Sequence, residues 1–179
     1  MKYGKDIKFD IYKLDKKYEI QINEFSCGNG ELDKYLREKA LPEMEQGQSV
    51  TKIILEKESG KILAYYSLAA ASIVMENHNH NYFSPAVEVK MYAVADELHG
   101  LAFSDDVDDG TFSENLFSLI IGEIYQLSEK KIGIANVILY SVPHAVDFYT
   151  KIGFESFEEY MMINNDRYLN GCKPMWLSL

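Results

Sequence analysis

Residues 135–154, ANVILYSVPHAVDFYTKIGF, constrain the fold more than any other stretch. Positions 137–140 are apolar and β-prone, as a strand covered on both faces must be. Ser141 is placed to cap a helix, and Pro143 suits its first turn, where a missing N–H costs nothing. Ala145, Phe148, Tyr149 and Ile152 fall at i, i+3, i+4 and i+7, which makes one buried face. Gly153 then stops the helix, because a left-handed position costs glycine no Cβ clash. A strand, a short helix and a new strand therefore follow in close succession.

The rest of the chain reads as more strands with two longer helical runs. Residues 6–14 alternate, with Ile7, Phe9 and Ile11 on one face. The stretch 25–33 reads as a turn opening a helix over roughly 31–46, with Leu32, Tyr35, Leu36 and Ala40 as its apolar stripe. Pro42 is expected to break or kink its second half. Two β-rich runs, 51–57 and 62–74, flank the hairpin chemistry of Glu58-Ser59-Gly60-Lys61. A polar turn follows at 77–82, then a strand over 87–94 preceded by Pro85. A helix is expected over 113–131, opened by the capping-box pair Thr111 and Glu114. Leu116, Ile120, Ile124 and Leu127 line its core face. Strands over 155–163 and 174–179 close the chain. The order β-α-β-β-β-α-β-α-β-β predicts an α/β domain, a mixed, mostly antiparallel sheet with helices on both faces, spanning 1–179 as one unit.

Composition narrows the function. No apolar run reaches the roughly 20 residues that span a membrane, and the N-terminus has no apolar signal-peptide core. Cys27 and Cys172 stand far apart, without disulfide-framework or zinc spacing, which makes a reducing cytoplasm the default. The net charge of −10 argues against a nucleic-acid partner, whose phosphates need a basic footprint. It favours cationic partners such as amines.

Residues 145–154 resemble the A-x-x-F-Y-x-K-x-G-F signature near the end of GNAT acetyltransferases. Residues 25–72 are similar to a GNAT subgroup that includes acetyltransferase toxins. There a Leu-Asp-x-x-Leu helix (here Leu32, Asp33 and Leu36) precedes a Gly-Tyr-Tyr-x-Leu strand (here Ala64, Tyr65, Tyr66 and Leu68). The resemblance implies the GNAT fold, with a parallel pair of splayed strands that holds acetyl-CoA as co-substrate. It implies acetyl transfer to a primary amine on a small molecule, peptide or protein, by direct attack in a ternary complex.

Tyr149 matches the family tyrosine that protonates the departing thiolate, and its place near a helix N-terminus is expected to lower its pKa. Glu88 is the candidate base. Strand alternation is expected to put 88, 90, 92 and 94 on one face. Tyr92, Ala93 and Val94 match the positions whose backbone meets pantetheine. The family's Gln/Arg-x-x-Gly-x-Gly/Ala loop falls on His99, Gly100, Ala102 and Ser104, where Ala102 and Ser104 replace glycines. Asp105, Asp106, Asp108 and Asp109 follow at once. A carboxylate about 8 Å from a phosphate, at an effective dielectric of about 40, repels it by roughly 1 kcal/mol. Gly110 and Thr111, at the start of the next helix, are the alternative phosphate cradle.

No metal is expected. The acidic loop has Val107 and Leu116 where a calcium loop needs oxygen ligands. His78 and His80 lack a third ligand at metal spacing. The degenerate loop also motivates a second reading, a non-catalytic binding module on the same scaffold. An exposed C-terminal strand edge is available to pair two subunits.

Overall fold

The structure, a computed structural model, describes residues 3–77, 80–157 and 171–179. The described chain divides into two compact units, Met1–Ala69 with Lys90–Phe117, and Ala70–Val89 with Ser118–Leu179.

The first unit begins with β1 (Phe9–Lys13), shorter than the expected strand because Gly4–Asp6 form a 3-10 turn. Ile7 is buried, but Ile11 on the same expected face is 39% exposed. Helix α1 (Glu19–Glu24) follows and was not legible as a helix of its own. The predicted long helix is present in three consecutive pieces. They are α2 (Gly30–Lys34), a π-helical turn Tyr35–Lys39, and α3 (Ala40–Glu45). The irregularity lies upstream of Pro42. A proline ring crowds the carbonyl four residues back, and the wider turn, with Ala40 N–H on Tyr35 O, relieves that crowding. Tyr35, Leu36 and Ala40 are buried as predicted.

Strand β2 (Val50–Glu56) pairs antiparallel with β1 and with β3 (Ile62–Asn77). A bulge lies at Ile54/Leu55, where Leu55 sits opposite Ile62 and Ile54 opposite Ala64. Gly60, at φ +70°, closes the predicted hairpin. The two faces of this unit carry different helices. Ser67, paired with Thr51, reaches Tyr35 of the π-turn. Phe9, on the opposite face, packs edge-on against Phe112, the first residue of α4 (Phe112–Lys130).

In the second unit the outer part of β3 neighbours β4 (His80–Val94). β4 starts before Pro85, so His80 and Tyr82 lie in a strand and not in the expected turn. His78 and Asn79 lie outside the described residues. β4 pairs in parallel with β5 (Asn136–Ser141) over three rungs, from Ala86–Asn136 to Glu88–Ile138. β5 also pairs antiparallel with β7 (Lys173–Ser178) along its whole length. Its near-continuous burial explains the apolar run 137–140. Residues 158–163 of the strand predicted over 155–163 lie outside the described residues. Its start is β6 (Glu155–Ser156), which pairs with Trp176 and Met175 of β7. β7 is therefore not the edge expected at the C-terminus, since β5 and β6 flank it. Ala86, Ile138 and Phe157 form a core cluster here, with Trp176 packed on it. Among the described residues the sheet order is β1-β2-β3-β4-β5-β7-β6.

Between β5 and α5 (Val146–Lys151) a 3-10 turn occupies Pro143–Ala145. Ser141 does not cap it. Ser141 lies in β5 and its hydroxyl donates to Val142 O at 2.9 Å, while Val142 is the cap position and makes no side-chain bond. Gly153 takes φ +103° and ends the helix as predicted.

Candidate active site

Tyr149 is the fourth residue of the six-residue helix α5, past its midpoint. It is half-buried, with its ring 5.0 Å from Phe148 and 6.0 Å from Phe154, both edge-on. Burial raises its phenol pKa above the ordinary tyrosine value, the reverse of the expected dipole effect. The desolvation cost of a phenolate outweighs a dipole whose field comes from a single short helix. The residue therefore keeps its proton throughout the neutral range, as a general acid requires. Glu88, half-buried, sits in the last parallel rung, opposite Ile138.

Tyr92, Ala93 and Val94 form the end of β4, in the first unit. Tyr92 donates its hydroxyl to Ser113 O at 2.7 Å and packs edge-on against Phe117, both on α4. Lys90, two residues earlier, reaches Glu43 of α3 at 2.7 Å. Residues two apart on a regular strand share a face. Since α3 and the start of α4 cover opposite faces, the expected alternation fails between Lys90 and Tyr92. A bulge-like irregularity of the strand has this effect.

The loop after β4 is closed on itself. Phe103 N–H donates to Gly110 O at 2.9 Å and Phe112 N–H to Leu101 O at 2.8 Å, with Ala102 opposite Thr111 in an isolated bridge. His99 lies 3.0 Å from Val94 O through Nε2. Ser104 is buried, donating to Asp109 Oδ2 at 2.5 Å and accepting from Asp106 N–H at 2.9 Å. Asp106 caps its own turn by accepting from Asp108 N–H at 3.0 Å, and Asp105 pairs with Lys5 at 2.7 Å. Three of the four aspartates thus have partners within the loop or on Lys5.

The alternative cradle is also engaged. Gly110 N–H donates to Val107 O at 3.2 Å, and Thr111 N–H to Glu114 Oε2 at 2.6 Å. Glu114 N–H in turn donates to Thr111 Oγ1 at 3.2 Å, completing the predicted capping box. Glu114 thereby places a carboxylate at the helix end where an anion would rest. The N–H groups of Gly100 and Ala102, both exposed, have no protein acceptor among the described residues. They are among the donors this loop leaves open to an anion.

Asp33 explains the Leu-Asp-x-x-Leu pattern. It is buried and accepts from Cys27 N–H at 2.9 Å and from the Ser26 hydroxyl at 3.1 Å. Burial opposes its charge, but these bonds outweigh it and hold the carboxyl below the usual range. Burial, with Asp33 beside it, pushes the Cys27 thiol up to about 12, so Cys27 is no nucleophile at neutral pH. A cavity of about 590 Å³ lies near Gln21, Lys61 and Asp96, and none of the candidate site residues lines it. Among the described residues no group of three or more His, Cys, Asp or Glu side chains is arranged to hold a metal ion.

No protein-family model matches the chain. Solved structures match nearly its full length at low identity. AtaT complexed with acetyl-methionyl-tRNAfMet aligns with TM-score 0.70 and 15% identity, covering 96% of this chain and 95% of that one. A tyrosine-to-phenylalanine mutant of KacT gives TM-score 0.70 and 14% identity, with the same coverage of both chains. The corresponding kind of AtaT mutant, a toxin bound to the C-terminus of the antitoxin AtaR and to acetyl-CoA, gives 0.69 and 16%, covering 95% and 92%. The fold is that of the GNAT acetyltransferases, similar to the toxin subgroup. The exclusion of nucleic acid drawn from net charge has no support here, because one protein of this fold is solved with a tRNA.

Proposed function

We propose that residues 1–179 act as one GNAT-type N-acetyltransferase domain that moves an acetyl group from acetyl-CoA to a primary amine. The observation that carries this reading is the nearly full-length fold match to a protein solved with acetyl-CoA. The signature around Tyr149 supports it from the sequence side. Fold alone does not fix chemistry, so the roles rest on the residues.

The backbone of Tyr92, Ala93 and Val94 pairs with pantetheine. Gly100 and Ala102 N–H groups meet the pyrophosphate, with His99 beside them. Ser104 holds the loop's shape, Thr111 joins the cradle only if Glu114 swings away, and Gly110 only if its N–H leaves Val107 O. The amine nitrogen attacks the thioester carbonyl carbon in a ternary complex. As the C–S bond breaks, its electron pair goes to sulfur, and the Tyr149 hydroxyl gives the thiolate its proton. Glu88, directly or through water, takes the proton that the amine nitrogen loses.

The acceptor is the amine of a small molecule, a peptide or a protein. An aminoacyl-tRNA stands beside these, since its α-amino group is also a primary amine. No helix among the described residues is long and apolar enough to cross a membrane. The cytoplasm, where acetyl-CoA is present, is the proposed compartment.

Calorimetry with acetyl-CoA, followed by thiol release with a panel of amines and charged tRNAs, tests the assignment. Micromolar binding with amine-dependent release of free CoA is expected. Acetyl-CoA that neither binds nor raises the melting temperature at millimolar concentration would leave the binding-module reading, which the closed, acid-capped loop favours.

A further inference from the structure

Outside the candidate site, the most elaborate polar cluster of the first unit centres on Glu43. Its Oε2 accepts from Lys90 Nζ at 2.7 Å, from the Tyr35 hydroxyl at 2.7 Å and from the Ser49 hydroxyl at 3.2 Å. Tyr35 also lies 3.1 Å from Ser67 Oγ, which accepts from Thr51 Oγ1 at 3.1 Å. Thr51 and Ser67 are fully buried, and the Lys90 and Glu43 side chains are 14% and 19% exposed. Among the described residues the chain of hydroxyls ends at Thr51, so it offers no proton path. A charge pair this enclosed is also a poor route to stability alone, because apolar residues of the same volume do as well or better. Its marked property is its place. It grips β4 at the residue where the alternation fails, two positions before Tyr92 turns to α4.

We propose that Lys90 and Glu43 are positioning residues for the acyl donor. Their ion pair ties β4 to α3, fixes the irregularity between Lys90 and Tyr92, and so sets the backbone of Tyr92, Ala93 and Val94 for pantetheine. The proposal rests on the acetyl-CoA reading given above. It adds a cause for the strand geometry that reading needs. Tyr35 and Ser49 hold the carboxylate in one orientation, so that Lys90 meets a fixed partner.

The test compares Lys90→Met, Glu43→Gln, the double variant and Lys90→Arg in the full chain. Either single change is expected to raise the KM for acetyl-CoA about tenfold and to leave the acceptor KM unchanged. The double variant should be no worse than the worse single, and Lys90→Arg should recover most of the loss. Amide hydrogen exchange at Met91, Tyr92, Ala93 and Val94 should quicken by a similar factor in Lys90→Met. A lowered melting temperature with unchanged acetyl-CoA KM and unchanged exchange there overturns the proposal. If the wild-type chain binds no acetyl-CoA, the transferase reading fails by itself. The exchange measurement then decides the clamp, and protection that stays the same in Lys90→Met and Glu43→Gln overturns it.

Discussion

Residues 99–114 and residues 136–154 are the two stretches where the sequence points to chemistry, and they treat their polar groups in opposite ways. In the first, carboxylates and backbone N–H groups bond to one another. Asp106, Asp109 and Glu114 each accept from a donor a few residues away. In the second, an apolar strand and a short aromatic helix leave one phenol among rings, with its pKa raised by burial. The difference separates formal charge from available charge. Five acids between positions 105 and 114 make the first stretch look hostile to phosphate. Two of them, Asp106 and Glu114, are turned into local caps, Asp109 accepts from the Ser104 hydroxyl, and Asp105 is paired with Lys5. The second stretch carries little charge and keeps one phenol protonated among rings, the group proposed above as the acid.

The strongest way to break this contrast is Tyr149→Phe. Loss of the acid should lower kcat by about a hundredfold or more, within the usual range for general acid–base catalysis, and leave acetyl-CoA affinity unchanged. In the wild-type protein the alkaline limb set by this phenol should lie above the ordinary tyrosine value of about 10, because the group loses its proton later than a free one. Turnover that stays the same in the variant would remove Tyr149 as the acid. Next in size is Gly153→Ala, which asks whether the helix stop in the same segment matters. An added Cβ meets nothing closer than Leu177 at 3.6 Å, so space is no obstacle. The φ of +103° is the obstacle, and about 1–2 kcal/mol of stability should be lost in thermal unfolding. An unchanged melting temperature would mean that the backbone relaxes at this point.

Glu114→Ala sharpens the contrast from the other side. Without the carboxylate, the capping box is lost, at a cost of about 1 kcal/mol. Thr111 N–H is then open to an anion, and a like charge is gone from the helix end. Acetyl-CoA affinity should rise about fivefold by calorimetry, a change that corresponds to about 1 kcal/mol. A fall in affinity would show that Glu114 shapes the loop for its ligand and does not compete with it.

Much of the fold could be read from residue pattern, and the exceptions have local causes. The capping box of Thr111 and Glu114, the glycine stop at 153 and the β5 run all depend on neighbours in sequence, and all are present. The break or kink expected from Pro42 takes the form of a π-turn at Tyr35–Lys39, because the strain of a proline is relieved one turn earlier. Ser141 looked like a cap, but it is the last residue of a strand that continues one position further than its apolar run. The site was harder to read. The face switch between Lys90 and Tyr92 depends on Glu43, far away in sequence, and no period-two pattern reveals it. The sign of the Tyr149 shift depends on how deeply the ring is buried, which a helical wheel leaves open. A signal did exist for Glu114, since a capping box closed by Glu sets a carboxylate at the helix end where phosphate would bind.

The smallest effect is expected at Lys5, and it tests what holds the acidic loop in place. Lys5 and Asp105 lie 2.7 Å apart, with side chains 44% and 76% exposed, so solvent and salt screen the pair. Beneath it, Gly4 N–H donates to Ala102 O at 2.9 Å and Lys5 N–H to Phe103 O at 2.8 Å. These backbone bonds survive removal of the side chain. Lys5→Ala should therefore leave the melting temperature unchanged. Freed of its partner, Asp105 then presents an unpaired charge to any phosphate on Gly100 and Ala102. Acetyl-CoA affinity should fall about twofold at low salt and recover in about 0.5 M salt, where charges more than a few ångströms apart are screened. A melting temperature lowered by several degrees would show instead that the ion pair, and not the backbone, docks the loop.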